Sequence, residues 1–267
     1  MELRAHFGLH QTPFTRELLI KHRFAHDQYD EVLTDLRQTI DDRMSAAVIA
    51  PAGTGKTALV RALREALPDA RYRVNYVKVT RLSKRDMCRE ITATLGVPSA
   101  GSTPGMIRSI QSAVRDASQT DGQRSLLILD DAHELRPEVL GLLKVLTNYA
   151  MDSQLLLSLL LVGQPPLADL LRRPELEDVA RRIAHYATLR PLSRDETRAY
   201  VAHRCTVAGA TTVPFDDGSI DAIFEIGRGN LRATDRLSLK ALQVAARQGH
   251  DVVEHTTVIE ARRALWP

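Results

Sequence analysis

Two short runs in this chain have the residue types and spacing to bind a polyphosphate and cleave its phosphoanhydride bond. The first is Ala50-Pro51-Ala52-Gly53-Thr54-Gly55-Lys56-Thr57. It stands between an apolar strand pattern at Ala46–Ala50 and a helical pattern at Ala58–Leu67. Strand, Gly-rich loop and helix in that order are the context of a phosphate-binding loop. Gly53 and Gly55 let backbone N–H groups close around phosphate oxygens, Lys56 adds a point charge, and the Thr57 hydroxyl is a hard oxygen donor for Mg²⁺. The expected nucleotide contacts are Pro51, Ala52, Gly53, Thr54, Gly55, Lys56, Thr57 and Ala58. The usual pattern opens with Gly, but Ala50 stands there, so the loop entrance is expected to differ slightly.

The second run is Ser125-Leu126-Leu127-Ile128-Leu129-Asp130-Asp131-Ala132-His133. A fully apolar strand here delivers two carboxylates at its C-terminal end. Asp130 is expected to hold Mg²⁺ through water, and Asp131 to orient or deprotonate an attacking water. The metal set is thus Thr57 and Asp130, and the cofactors are ATP and Mg²⁺. The competing reading of Asp131 is a cap for the following helix. Glu is usual at that place, and Asp is one methylene shorter, so slow hydrolysis is expected.

The elements that must position these groups alternate between strand and helix. Asp27–Arg43 has helical spacing, with Tyr29, Val32, Leu33, Leu36 and Ile40 on one face. Tyr76–Thr80 and Leu155–Val162 have strand patterns, and Ser83-x-x-Asp86 opens a helix to Leu95. Thr103 is expected to cap another helix with Pro104 first, and Pro137 starts a further one. This alternation predicts an α/β fold with a doubly wound parallel sheet. After about Pro191 strand patterns stop. Ser193-x-x-Glu196 opens a helix to about Ala208, and helices follow near Ser219–Ile226, Leu231–Gln248 and Thr257–Leu265. The expected organisation is an α/β domain over 1–190, with an irregular segment over 1–25 pinned by Phe7, Leu9 and Phe14, and a small C-terminal helical lid over 191–267.

Composition narrows the class. Apolar residues make up 44% of 267 residues, enough for a large core, and aromatics only 4%, which argues against stacking platforms for single strands. Net charge is +3, compatible with an acidic partner. Cys88 and Cys205 lie far apart without metal-ligand spacing, so a reducing compartment fits. With no signal core at the N-terminus and no apolar run long enough to cross a bilayer, a cytoplasmic protein without membrane contact is expected.

Taken together, these residues resemble one branch of the AAA+ ATPases: the ExeA-like proteins and the transposition ATPases TnsC, TniB and MuB. Phe7-Gly8-Leu9 with Pro13-Phe14 looks like the ExeA-type opening. Leu161-Val162-Gly163-Gln164-Pro165-Pro166-Leu167, Arg173-Pro174-Glu175-Leu176, Leu192-Ser193-Arg194-Asp195-Glu196-Thr197 and Gly229-Asn230-Leu231-Arg232 also match. The resemblance implies an AAA+ P-loop NTPase fold and ATP hydrolysis between subunits. It gives Gln164 the first sensor position and Arg182 the finger reaching a neighbour's phosphate, with Arg181 second. Arg232 becomes the lid sensor. Each arginine also has a plainer reading as a surface helix residue.

The resemblance also bears on partners. Between Lys56 and Glu90 stand ten Lys or Arg against four Asp or Glu. Arg81, Lys84 and Arg85 run into a helix start beside Ser83, with a second helix start at Ser102 and Thr103. In the transposition ATPases the matching segment tracks a DNA backbone inside a filament. The alternative is a solvated charged face. The favoured expectation is an ATP-dependent regulator of transposition that self-associates into a ring or helical filament on duplex DNA, without sequence preference, and recruits a transposase. The competing expectations are an ExeA-type factor for secretion machinery and a nucleotide-state signalling switch. ExeA-type proteins usually continue into a membrane span, whereas this sequence stops at Trp266-Pro267, which weighs toward transposition.

Overall fold

The computed structural model describes residues 2–17 and 19–265. The final Trp266-Pro267 pair lies outside the described residues. In chain order the elements are α1 (Leu3–His6), α2 (Asp27–Asp41), β1 (Ser45–Ile49), α3 (Lys56–Ala66), β2 (Tyr72–Lys78), α4 (Lys84–Leu95), α5 (Thr103–Gln119), β3 (Arg124–Asp130) and α6 (Pro137–Thr147). They continue with β4 (Leu157–Gly163), α7 (Pro166–Leu171), α8 (Glu177–Ala180), β5 (Ile183–Thr188), α9 (Arg194–Val207), α10 (Asp217–Gly227), α11 (Leu231–Gln248) and α12 (His255–Leu265). The chain divides into two compact units.

The α/β unit comprises residues 27–51 and 56–189. Its five strands pair in parallel in the order β2-β3-β4-β1-β5. A parallel five-stranded sheet flanked by helices is the doubly wound α/β fold that the alternating strand and helix patterns predict. β4 is buried along its whole length and β3 along all but its first residue, because helices cover both faces. Leu127, Leu129, Leu159 and Leu161 meet Met87, Ile91, Ile110 and Leu143 in the main core. The register aligns Lys78 with Asp130, Asp130 with Val162, and Ile49 with Gly163, so these strands end level. The level C-terminal edge, where the chain reverses direction around β1, is where open α/β sheets bind ligands.

The helical unit comprises residues 1–26, 52–55 and 190–267. It groups residues 1–26 with the C-terminal helices, whereas the sequence had placed them with the α/β domain. Phe14 is buried and stands edge-on to Phe215, 6.1 Å between ring centres. The Arg204 guanidinium donates to the Thr15 carbonyl at 2.7 Å. Leu3 and Phe7 pack on the same core, so aromatic burial ties the segment down. Nor is it wholly irregular, since it holds α1 and a 3₁₀ turn at Ile20–His22.

Several local expectations change. Ser102, not Thr103, caps α5: its Oγ accepts from Gly105 N at 3.2 Å, leaving Thr103 and Pro104 as the first helical residues. β2 starts at Tyr72 and stops at Lys78, earlier than the apolar pattern suggested. β5 was not anticipated. It is an edge strand of small and polar residues, Ile-Ala-His-Tyr-Ala-Thr, whose alternation is too weak to stand out.

Candidate nucleotide-binding site

β1 ends at Ile49, and Ala50 N continues its ladder by donating to Gly163 O at 3.1 Å. The left-handed positions of the following loop are Gly53 (φ +79°) and Gly55 (φ +96°); Ala50 needs no such φ, so Ala suits it as well as Gly. α3 begins at Lys56. The Lys56 side chain is buried and turns back, its ammonium donating to Ala50 O at 2.8 Å and Pro51 O at 2.7 Å. Thr54 is buried, Thr57 and Pro51 are exposed, and Ala58 is half-buried on the first turn of α3. Left-handed glycines and a helix start make a nest of N–H groups suited to phosphate.

At the end of β3, Asp130 is buried, and both of its oxygens have partners. Asp131 N donates to Oδ1 at 2.9 Å and the Tyr76 hydroxyl to Oδ2 at 2.9 Å. Burial, and then this bond to Asp130, hold the Tyr76 phenol well above its usual range. Asp131 is left-handed (φ +58°), a conformation Asp tolerates better than most residues. It opens the 3₁₀ turn Ala132–Glu134, but its side chain makes no capping bond. Instead Asp131 Oδ2 lies 3.7 Å from Lys78 Nζ. Tyr76 and Lys78 are two apart on β2 and so share one face, which the β2–β3 register brings to the acidic pair. Sequence reading missed both; only strand pairing reveals them.

Gln164 follows β4. Its N–H lies 3.4 Å from His133 Nδ1, and its amide nitrogen 2.8 Å from His133 Nε2. A cleft at this edge is lined by Lys78, Thr80, Asp131, His133 and Gln164. Asp131 and Gln164 therefore share one cleft, with Asp130 next in the chain and turned to Tyr76. Arg181 and Arg182 do not sit within a long helix. Arg181 ends the short α8 and pairs with Glu177 at 2.6 Å, while Arg182 precedes β5 and grips both oxygens of Asp152 at 2.8 Å.

In the helical unit, the loop residues Ala52–Gly55 group with the start of α11. Asn230 caps α11, and its Nδ2 donates to Ala52 O at 2.6 Å. Arg232 N faces Gly53 O at 3.4 Å, and its side chain is exposed on the first turn.

The basic cluster is partly assembled. Arg85 donates to Gly101 O at 3.1 Å, joining the starts of α4 and α5, and Lys84 is exposed. Arg81, however, pairs with Glu134 at 2.8 Å, and this guanidinium holds the Glu134 carboxyl below its usual range. The Ser83 hydroxyl is committed to Asp86, as the pattern Ser83-x-x-Asp86 predicts of a helix start.

The profile described as an AAA domain matches residues 38–171, which is half of the chain and runs from the end of α2 through α7. The chain belongs to the AAA domain family. Membership implies nucleotide use, and the glycine nest, lysine, hydroxyl and carboxylate fit a nucleotide with a hard cation. Along 255 residues the chain is 31% identical to General secretion pathway protein A of Aeromonas hydrophila, covering 92% of this chain and 46% of that protein. It thus spans about half the length of the curated relative it matches. Among solved structures it resembles Cdc6p of Pyrobaculum aerophilum (TM-score 0.77, 18% identity, 94% of this chain and 70% of that one). It also resembles the Aeropyrum pernix ORC1 protein in complex with DNA (0.71, 16%, 94% and 68%) and the Thermotoga maritima RuvB Holliday junction branch migration motor (0.62, 17%, 90% and 70%). At such identities these likenesses establish the AAA domain fold. Among the described residues no helix is long and apolar enough to cross a membrane.

Proposed function

We propose that this chain is an ATP hydrolase that works as an oligomer on duplex DNA, in the manner of a transposition regulator. The observation that carries the hydrolase reading is the acidic pair at the level sheet edge: a buried Asp130 gripped at both oxygens, and an Asp131 whose carboxylate is not used as a cap. Lys56 and the Gly53–Gly55 nest bind the phosphates of ATP, and Thr57 with Asp130 holds Mg²⁺. That ion supplies charge neutralisation of the phosphates. Asp131 accepts the proton of the attacking water and orients it, with Lys78 setting the direction of its carboxylate. Gln164 is a polar neighbour for the same water. Arg182 from a neighbouring copy offsets charge on the phosphate, Arg181 is its substitute, and Arg232 senses nucleotide from its own chain.

The DNA reading rests on Arg85 and Lys84 at joined helix starts, with Ser102 and Thr103 alongside. The ATP-bound oligomer would mark the target and recruit a transposase, and hydrolysis would disassemble it. A second reading, assembly of secretion machinery, is favoured by the 31% identity to General secretion pathway protein A. The test of the site is a nucleotide-binding titration with turnover. Lys56→Ala should weaken ATP binding by at least tenfold, because a phosphate charge loses its partner. Asp131→Asn should bind ATP as the parent does yet turn over far more slowly. Arg182→Ala should bind ATP but lose the rise of activity with protein concentration. Unchanged ATP affinity in a folded Lys56→Ala protein would sink the assignment.

A further inference from the structure

Asn230 makes two hydrogen bonds with opposite ends of one amide. Its Oδ1 accepts from Ala233 N at 3.1 Å, the bond expected of a helix cap. Its Nδ2 donates to Ala52 O at 2.6 Å, in the middle of the phosphate loop. Only a side chain with an acceptor and a donor on one carbon can do both, which selects Asn over Asp, Ser or Thr.

Close approach is part of the arrangement. A Cβ on Gly53 would stand 2.3 Å from Asn230 Oδ1, so no larger residue fits at Gly53 while Asn230 holds the loop. The turn delivering Asn230 is equally constrained. Gly229 is left-handed (φ +70°), accepts from Leu192 N at 2.9 Å, and has no room for a Cβ, which would lie 1.9 Å from Leu192 O. Arg232 N faces Gly53 O at 3.4 Å, within the first turn of the same helix. The Ala52–Gly53 backbone and the first turn of α11 are thereby held to each other by the Asn230 side chain and by the longer backbone bond from Arg232 N.

We infer that Asn230 is a positioning residue for nucleotide binding: it orients the Ala52–Gly53 peptide of the phosphate nest and registers α11, with Arg232, against that loop. This rests on the reading of the loop as the cradle for ATP. Free of the Nδ2 bond, the loop samples other orientations of the peptides that must point at phosphate, and binding has to select among them. α11 is 18 residues long, so the loop orientation is coupled to a stiff element rather than to a side chain alone.

The test separates capping from positioning. In Asn230→Ser the hydroxyl still caps α11 but is too short to reach Ala52 O. In Asn230→Ala both bonds are lost. Calorimetric titration with ATP, thermal melting, and hydrogen exchange of the Gly53–Gly55 amides in the nucleotide-free protein are measured on the full chain, with Lys56→Ala alongside. The Ser variant should melt close to the parent, bind ATP about tenfold more weakly and exchange its loop amides faster. The Ala variant should lose both melting temperature and affinity. A Ser variant with parental affinity and parental loop exchange, beside a Lys56→Ala protein that has lost binding, overturns this inference alone. Parental ATP affinity in folded Lys56→Ala overturns the loop reading and this inference with it. Should the Ser variant fold poorly, Asn230→Asp keeps the cap, lacks the donor, and is read by loop exchange in the same way.

Discussion

Asp131 stands at a left-handed backbone position, and its carboxylate is directed toward Lys78 rather than into the helix that follows. Two demands compete at this residue. A longer acid would bring the carboxylate closer to a water at the phosphate, but a left-handed φ costs about 1 kcal/mol in most residues and less in Asp. Asp131→Glu is therefore expected to raise turnover several-fold at unchanged ATP affinity while lowering the melting temperature by a few degrees. Steady-state kinetics and thermal melts on the same preparation check it. A Glu variant no faster than the parent, together with an Asn variant equally fast, would remove Asp131 from the chemistry. At this scale the residues that carry their own signature were legible: Lys56 directly after the glycine loop, and Asp130 at the end of an apolar strand. Tyr76, Lys78 and Asn230 were not. Their roles arise from a parallel register and from a turn 178 residues away from Ala52, which no local pattern encodes.

The start of α9 shows how an element is set by a few polar atoms. Ser193 and Glu196 form a reciprocal capping box, and Arg190 grips both Glu196 oxygens at 2.6 and 2.8 Å. The Arg190 bond, assisted by the Ser193 backbone and hydroxyl, pulls the Glu196 carboxyl down from 4.5 to about 2 against the opposing effect of burial. A depressed carboxylate stabilises the fold above its unfolded value, and that contribution is lost as pH falls from about 4.5 toward about 2. Glu196→Gln keeps an acceptor for the Ser193 N–H but not the charge. It should cost about 1 kcal/mol at pH 7, because the pair is largely screened by solvent. The gap between the two melting curves should narrow steadily between about pH 5 and about pH 2. A gap independent of pH would mean the ion pair contributes nothing there. This box was visible in the sequence, as were α11 and the buried β3 and β4, because each is a strong periodic or capping pattern. β5 was hidden by its small, polar edge composition. The α5 cap was misplaced by one residue because Ser102 and Thr103 are both good caps, and only the bond to Gly105 N distinguishes them.

For the whole molecule, the AAA domain family fixes the fold, while any partner has to be recognised on the surface. The chain carries a net charge of only +3, so general electrostatic attraction is weak and a DNA interface has to be local. The candidate is the joined start of α4 and α5, where Lys84 is exposed and Arg85 reaches the Gly101 carbonyl. Arg81 is partly neutralised by Glu134. One copy offers about two phosphate contacts, too few to hold duplex DNA at physiological salt, whereas an oligomer multiplies them along one backbone. Binding should therefore require the ATP-loaded, assembled form, depend little on sequence and fall steeply with salt. The arrangement also predicts effects of opposite sign. Lys84→Ala removes a cation and should weaken binding, reducing the steepness of the salt dependence by about one phosphate contact per subunit. Glu134→Gln releases Arg81 from its partner and should strengthen binding. Fluorescence anisotropy of a labelled duplex, read at several salt concentrations with ATP, ADP or no nucleotide, measures all of these. If Lys84→Ala and Glu134→Gln both match the parent, the cluster is a solvated face. If the parent ignores duplex DNA even when assembled with ATP, the transposition reading gives way to secretion assembly, as the relationship to General secretion pathway protein A would then indicate.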